Sequence, residues 1–244
     1  MTFTLREMGA ADVAPAHLLS QKIQWPHRLE DWQQAWSLGG GVIAEVEGDV
    51  VGCALRWLWG DQRATLGLVI VAEQCRGQGI ARAMLQQMIA PLPDYQLHLV
   101  ATDQGKPLYQ KLGFIDQGLL AQHQCREMPA GHTAPLPKGA SLRPALPQDL
   151  ATLVELDLAA SGLSRQPLLA AMLASAEQAL VALCLPCQGE FVRVDTPLAS
   201  GLSPWLAERG LPCVDTPTIM VRGVPHRPDC DVALTFSLVS QAWS

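Results

Sequence analysis

The groups most able to do chemistry gather between residues 69 and 81. A β-branched run, Val69-Ile70-Val71, passes through a short polar turn into Arg76-Gly77-Gln78-Gly79-Ile80-Ala81 and directly on into helical spacing. A strand that meets a helix through glycines makes an anion site. First-turn amides have no acceptor within the helix and sit at the positive end of its dipole, and glycines let a diphosphate approach the backbone unobstructed. Arg76 adds a cation. Three readings compete for the turn. A Rossmann dinucleotide turn wants G-x-G-x-x-G close after the first strand, whereas this loop lacks the third glycine and follows four or five antiparallel-looking elements. A Walker loop wants Gly-Lys-Ser/Thr, which is absent. The third reading is a tight glycine turn without a ligand.

The elements that position this turn follow from periodicity. Residues 3–7 read as a strand, 10–21 and 28–37 as helices, and 41–47 with 50–59 as a hairpin around Glu47-Gly48-Asp49. Residues 61–71 form another strand. Helical spacing runs over 76–90, with Ile80, Met84, Leu85 and Met88 on one side and Pro91 as the stop. A strand over 97–101, a short helix over 106–112 ended by Gly113, and a final extended pair over 114–125 complete a mixed α/β sheet.

The string Leu66-Gly-Leu-Val-Ile-Val-Ala-Glu-Gln-Cys-Arg-Gly-Gln-Gly-Ile-Ala-Arg-Ala-Met-Leu85 resembles the acetyl-CoA motif of the GCN5-related N-acetyltransferases (GNAT family). Arg76, Gly79 and Ala81 fill its Arg/Gln-x-x-Gly-x-Gly/Ala core. Pro107-Leu-Tyr-Gln-Lys-Leu-Gly-Phe114 resembles the family's second signature. The resemblance covers about residues 3–127, and Trp25-Pro-His-Arg-Leu-Glu-Asp-Trp32 resembles a branch of the family with a degenerate second domain. It implies the GNAT acyl-CoA fold and an acetyl-CoA-dependent enzyme that transfers the acetyl group to a primary amine, on a small molecule, by direct attack. It further implies that the sheet splays after its fourth strand, that backbone groups of Val69 and Val71 pair with the pantetheine arm, and that amides of Gly77, Gln78, Gly79, Ile80 and Ala81 hold the diphosphate. A strand amide near Ile70 would stabilise the oxyanion, and Tyr109, by motif position, would protonate the leaving thiolate. The alternative is a non-catalytic acyl-CoA-binding or regulatory module. Two departures stand out: Thr102 and Gly105 occupy positions where the family often has Asn and Ala, and Glu73 stands where proline is common.

The general base stays open among Glu45, Asp61, His98, Asp103, His123 and a water chain. Five tryptophans, Trp25, Trp32, Trp36, Trp57 and Trp59, fall close together, and Trp57 with Trp59 extends an apolar strand face that reads as core or as a pocket wall. In the resembling enzymes the first helices border the acceptor site, which nominates Trp25, His27 and Trp32 for substrate contact.

Residues 129–140 concentrate proline and glycine and divide a first domain, 1–128, from a second, 141–244. Thr4-Leu5-Arg6 with Asp12 returns as Ser141-Leu142-Arg143 with Asp149 at an offset of 137, and Leu112-Gly113-Phe114 returns as Arg209-Gly210-Leu211 at an offset of 97. The second half therefore reads as a shortened, degenerate copy, and the Arg/Gln-x-x-Gly-x-Gly/Ala core is absent after residue 140. It would cover the first domain, complete the acceptor cleft or support a homodimer.

A net charge of −6 offers no global attraction to nucleic acid or an anionic membrane. Hydrophobic content of 49% with 16% charged residues describes a folded globule. No long apolar segment suggests a leader or a membrane span, so a cytoplasmic protein with reduced thiols is expected. Among the seven cysteines only Cys184 and Cys187 are closely spaced, and no metal is expected.

Overall fold

The structure is a computed structural model that describes residues 2–60, 62–129, 138–139, 143, 145–174, 189, 191–224, 235, 238 and 241. β1 (Thr4–Glu7) leads through a 3-10 turn (Ala10–Asp12) into α1 (Val13–Lys22) and α2 (Leu29–Leu38). The hairpin β2 (Gly40–Val46) and β3 (Asp49–Leu58) turns on Glu47 and Gly48, both at positive φ. β4 (Arg63–Val71), α3 (Ile80–Ile89), β5 (Gln96–Ala101), α4 (Lys106–Lys111) and β6 (Ile115–Cys125) follow. Residues 115–125 are one strand rather than the expected extended pair, and α3 starts at Ile80 rather than Arg76.

The second half supplies α5 (Leu150–Ser161), α6 (Gln166–Ala174), β7 (Val192–Pro197), α7 (Leu202–Ala207), β8 (Cys213–Asp215) and β9 (Thr218–Arg222). The strands lie in the order β1-β2-β3-β4-β5-β9-β6-β7, with β8 also on β6. β9 thus sits between two strands of the first half, pairing Leu97–Ala101 on one side and Ile115–Leu119 on the other. β6 in turn pairs with β7. Among the described residues, the last strand of each half therefore lies against the other half, and one sheet contains strands from both sides of the 129–140 boundary.

Tryptophans organise the core. Trp32 and Trp57 are fully buried and Trp59 is 1% exposed, and each indole nitrogen donates to an oxygen: Trp32 to Ser20 Oγ at 3.1 Å, Trp57 to Ala35 O at 2.7 Å, Trp59 to Thr65 Oγ1 at 2.9 Å. Satisfied this way, an indole brings its large apolar area inside without an orphaned donor. Trp57 ties β3 to α2, so α1 and α2 cover the Trp57 face of the sheet. Arg56, one residue earlier, points to the opposite face and donates to Met88 O in α3.

The two sequence offsets recur as hydrogen bonds. Arg6 clamps Asp12 with two contacts of 2.6 Å, and Gly9 N donates to the same carboxylate at 2.8 Å. The guanidinium holds the Asp12 carboxyl below the usual carboxylate range. At the offset of 137, Arg143 clamps Asp149 at 2.6 and 2.7 Å, and Leu146 N donates to it at 2.8 Å. Both motifs close a 3-10 turn that opens a helix. At the offset of 97, Phe114 N to Tyr109 O and Leu211 N to Leu206 O are both 3.1 Å, behind Gly113 at φ 87° and Gly210 at φ 88°. Cys184, Cys187 and Cys230 lie outside the described residues. Among the described helices none is long and apolar enough to cross a membrane.

Candidate active site

β4 and β5 run parallel and are joined only through Arg63–Gln96, Ala64–Leu97 and Thr65–His98. Past Thr65 the strands part, which leaves the β5 side of Leu66–Val71 without a ladder partner. On its other side β4 bulges against β3: Cys53 faces Ile70 and Leu55 faces Gly67, so β4 spends three steps where β3 spends two. The extra residue is absorbed at Leu68, a leucine held at φ 52°. Such a conformation costs of the order of 1–3 kcal/mol for a branched side chain and concentrates where a strand edge must be re-aimed. Val69 and Val71 are half-buried and Ile70 is buried, so the cleft along this edge is apolar.

Beyond β4 the chain turns through a 3-10 segment (Glu73–Cys75) into Arg76, Gly77, Gln78 and Gly79, all exposed. Gly77 and Gly79 have φ of 75° and 81°, and a Cβ added at either would meet nothing within 4 Å. Their own backbone demands glycine, and the space above them is open to a ligand. Gly79 provides no side-chain cap to α3, and after Arg76, whose amide donates to Glu73 O at 3.2 Å, the next backbone-paired amide is Ala83, which donates to Gly79 O at 2.9 Å. The amides ahead of it face the open space, an arrangement suited to a diphosphate. Arg76 folds back on Val71 O at 3.2 Å, at the mouth of the cleft. Ile80 is 1% exposed, so its side chain anchors α3 in the core and only its amide faces the turn.

Tyr109 lies on α4, 8% exposed, its ring edge-on to Phe114 with centroids 6.0 Å apart. Burial pushes its phenol up to about 12, so the hydroxyl stays protonated over any ordinary working pH. Thr102 holds the start of α4 where the family often has Asn: its Oγ1 accepts from Gly105 N at 3.2 Å. Gly105 has room for little else, since a Cβ there would stand 3.1 Å from the Tyr109 ring.

On the acceptor side the three nominated residues separate. Trp25 and His27 are half-buried in the α1–α2 connection, edge to face with centroids 5.7 Å apart. Trp32 lies wholly inside and holds α2 to α1, so it backs this connection rather than lining open space. His27 Nδ1 is buried without a hydrogen-bond partner. Burial, reinforced by the positive charge of Arg193, pushes the His27 imidazole down to about 4. An unfolded histidine takes up a proton near pH 6.5, whereas this one resists until about pH 4, so its contribution is present above 6.5 and lost as the pH falls through that window. Urea unfolding at pH 7 and at pH 4.5 should show a loss of about 2 kcal/mol that His27→Gln largely removes.

The base candidates are sorted by their partners. His123 is fully buried, with Nδ1 2.6 Å from Leu211 O and Nε2 2.9 Å from Ser203 Oγ, so it ties β6 to the second half and has no ring nitrogen left for a substrate. Glu45 is engaged by Arg6 at 2.7 Å. Asp103 is exposed, His98 is half-buried on β5 beside Thr65, and Asp61 lies outside the described residues. Sequence reasoning did not find Arg193, which belongs to β7, pairs with Asp195 at 2.9 Å and adds its positive charge to the surroundings of His27.

A parallel strand pair that opens beside a bulged strand, with a glycine cradle at its end, defines an acyl-CoA-type acyltransferase fold. Residues 37–116 match the model of the acetyltransferase (GNAT) domain. The chain is similar to the uncharacterized N-acetyltransferase YitH of Bacillus subtilis (strain 168), with 31% identity over 138 residues, or 56% of this chain and 48% of that protein. The chain thus spans about half the length of this curated relative. A putative acetyltransferase from Pyrococcus horikoshii superposes over 99% of this chain and 96% of its own, with a TM-score of 0.77 and 15% identity, a likeness of fold.

Proposed function

We propose that the protein is an acetyl-CoA-dependent N-acetyltransferase acting on a primary amine of a small molecule. The observation that carries this reading is the continuity of three features: the unpaired β4 edge, the uncapped start of α3, and the open space over Gly77 and Gly79. In this reading the bound co-substrate supplies an activated acyl thioester. Backbone groups of Val69 and Val71 hold the pantetheine arm as a strand neighbour would, and amides from Gly77 through Gln78, Gly79 and Ile80 to Ala81 hold the diphosphate, with Arg76 beside them. A strand amide near Ile70, next to the bulge, stabilises negative charge on the reacting carbonyl oxygen. Tyr109 keeps its proton at the hydroxyl until it can donate it to a leaving thiolate. Trp25 and His27 border the acceptor, with Trp32 behind them.

We further read residues 141–244 as a shortened second copy of the fold without the acetyl-CoA motif, supported by the duplicated hydrogen bonds at offsets 137 and 97. Leu206 takes the place of Tyr109 in that copy, which would leave it without the proton donor. The first test is calorimetric titration of acetyl-CoA into wild type and Gly79→Trp. Micromolar binding that the variant loses supports the site, and a folded wild type that binds nothing removes it.

A further inference from the structure

The seam between the halves repeats itself. At the offset of 97, β8 and β9 together are the counterpart of β6, and β7 is that of β5, so the order β5-β9-β6-β7 reads alike from either end. Asp116 faces Met220 and Gly118 faces Ile219. Their counterparts, Cys213 and Asp215, face His123 and Gln122, which are the counterparts of Met220 and Ile219. Gln117 is left over between the first two contacts, and Val214, its counterpart, between the second two, so even the irregularity recurs. Leu120 N donates to Pro217 O at 2.9 Å, and these two residues are each other's counterparts, which puts the centre of the relation between them.

Flanks and burial follow the same rule. Thr218 and Arg222 of β9 pair with Ala101 and Leu97, while Ala121 and Cys125 of β6 pair with Thr196 and Val192. Residues 115–119 and 212–216 are exposed, and Leu120, Ala121 and His123 are buried as are Pro217, Thr218 and Met220. When residue i meets j and the counterpart of j meets the counterpart of i, the contact has the form of an isologous interface between two copies of one chain.

The seam also reaches the cleft. The β4–β5 ladder ends at Thr65–His98, so Leu99–Ala101, on the open stretch of β5, have β9 as their ladder partner among the described strands. The helix α4, which carries Tyr109, is fastened at the same place, with Lys106 Nζ 2.5 Å from Asp116 and 3.4 Å from Thr218 Oγ1.

We infer that the second half is a built-in partner subunit: it fills, within one chain, the interface that two identical copies would form, and through β9 it holds the open wall of the cleft. The partner of this surface is a second copy, and here that copy is covalently attached. The cofactor role of β9 rests on the acetyltransferase reading above, and the seam itself does not.

The test compares the uncut protein with the whole sequence made as two chains, 1–133 and 134–244, in one cell. Light scattering should find the uncut protein as single chains, because its copy-to-copy surface is already occupied. The two chains should purify as a one-to-one pair and unfold in urea in one transition whose midpoint rises with protein concentration, whereas that of the uncut protein does not. The pair should bind acetyl-CoA within about threefold of the uncut affinity. An arginine placed at Thr218, or at its counterpart Ala121, should stop the two chains purifying together, since either charge would be buried in the seam. Chains that do not purify together without such a change, an uncut protein that is a dimer, or a 1–133 chain that binds acetyl-CoA by itself would overturn the inference. An uncut protein that binds no acetyl-CoA would overturn the cofactor role together with the reading it rests on, while mass and the urea transitions still decide the seam.

Discussion

Tyr109→Phe should lower kcat by about 10²- to 10⁴-fold while leaving acetyl-CoA affinity within about twofold of wild type, since only a proton present in the transition state is removed. The ring keeps its edge contact with Phe114 and its burial, so the packing of α4 is unchanged. Steady-state thiol release with saturating acetyl-CoA, set beside calorimetry, separates the two quantities. Because the wild-type phenol is pushed up to about 12, kcat should show no fall from tyrosine ionisation up to about pH 10. Unchanged turnover in Tyr109→Phe would reduce the residue to packing and favour a non-catalytic acyl-CoA-binding module.

The second large effect concerns the sheet. A chain ending at Met128 should give no cooperative thermal or urea transition, because it lacks the strand that lies between β5 and β6. Met220 is fully buried and Val221 is 1% exposed, and β9 pairs with five residues of β5 and four of β6. Burying those two side chains is worth about 1.5–3 kcal/mol each, before any hydrogen bond, against a net stability of about 5–15 kcal/mol for a whole domain. The point variant Met220→Ala should cost about 2–5 kcal/mol in urea unfolding of the full chain. A sharply melting 1–128 fragment would show instead that the first half closes its own sheet.

Local chemistry made much of the first half readable. The β-branched end of β4, the alternation around His98 in β5, the Glu47-Gly48 turn, and the 3.6-residue spacing of Ile80, Met84, Leu85 and Met88 are short-range signals, and each element lies within a few residues of its expected bounds. The start of α3 is misjudged because apolar spacing is silent about φ, and the positive φ of Gly77 and Gly79 keeps Arg76 to Gly79 out of the helix. Trp32 has the same residue type as Trp25 and stands near it in sequence, yet only packing distinguishes a core indole bonded to Ser20 from a half-buried one beside His27. His123 is misleading for a similar reason, since its partners, Leu211 and Ser203, come from the other half. The placement of β9 was beyond reach. Its five residues, Thr218–Arg222, carry no mark of the strands they join, which lie more than about a hundred positions earlier, and pairing at that separation leaves no local periodicity.

That same pairing sets a timetable. Residues 96–101 leave the ribosome long before Thr218 is made, and at about 5–20 residues per second the gap is roughly 6–23 s. Throughout that time the nascent first half holds the apolar edge of β5 with no permanent neighbour, a state that invites pairing with another chain. Completion of the cleft between β4 and β5 is then governed by β9, the last strand among the described residues, so the first half cannot be completed before that part of the second is made.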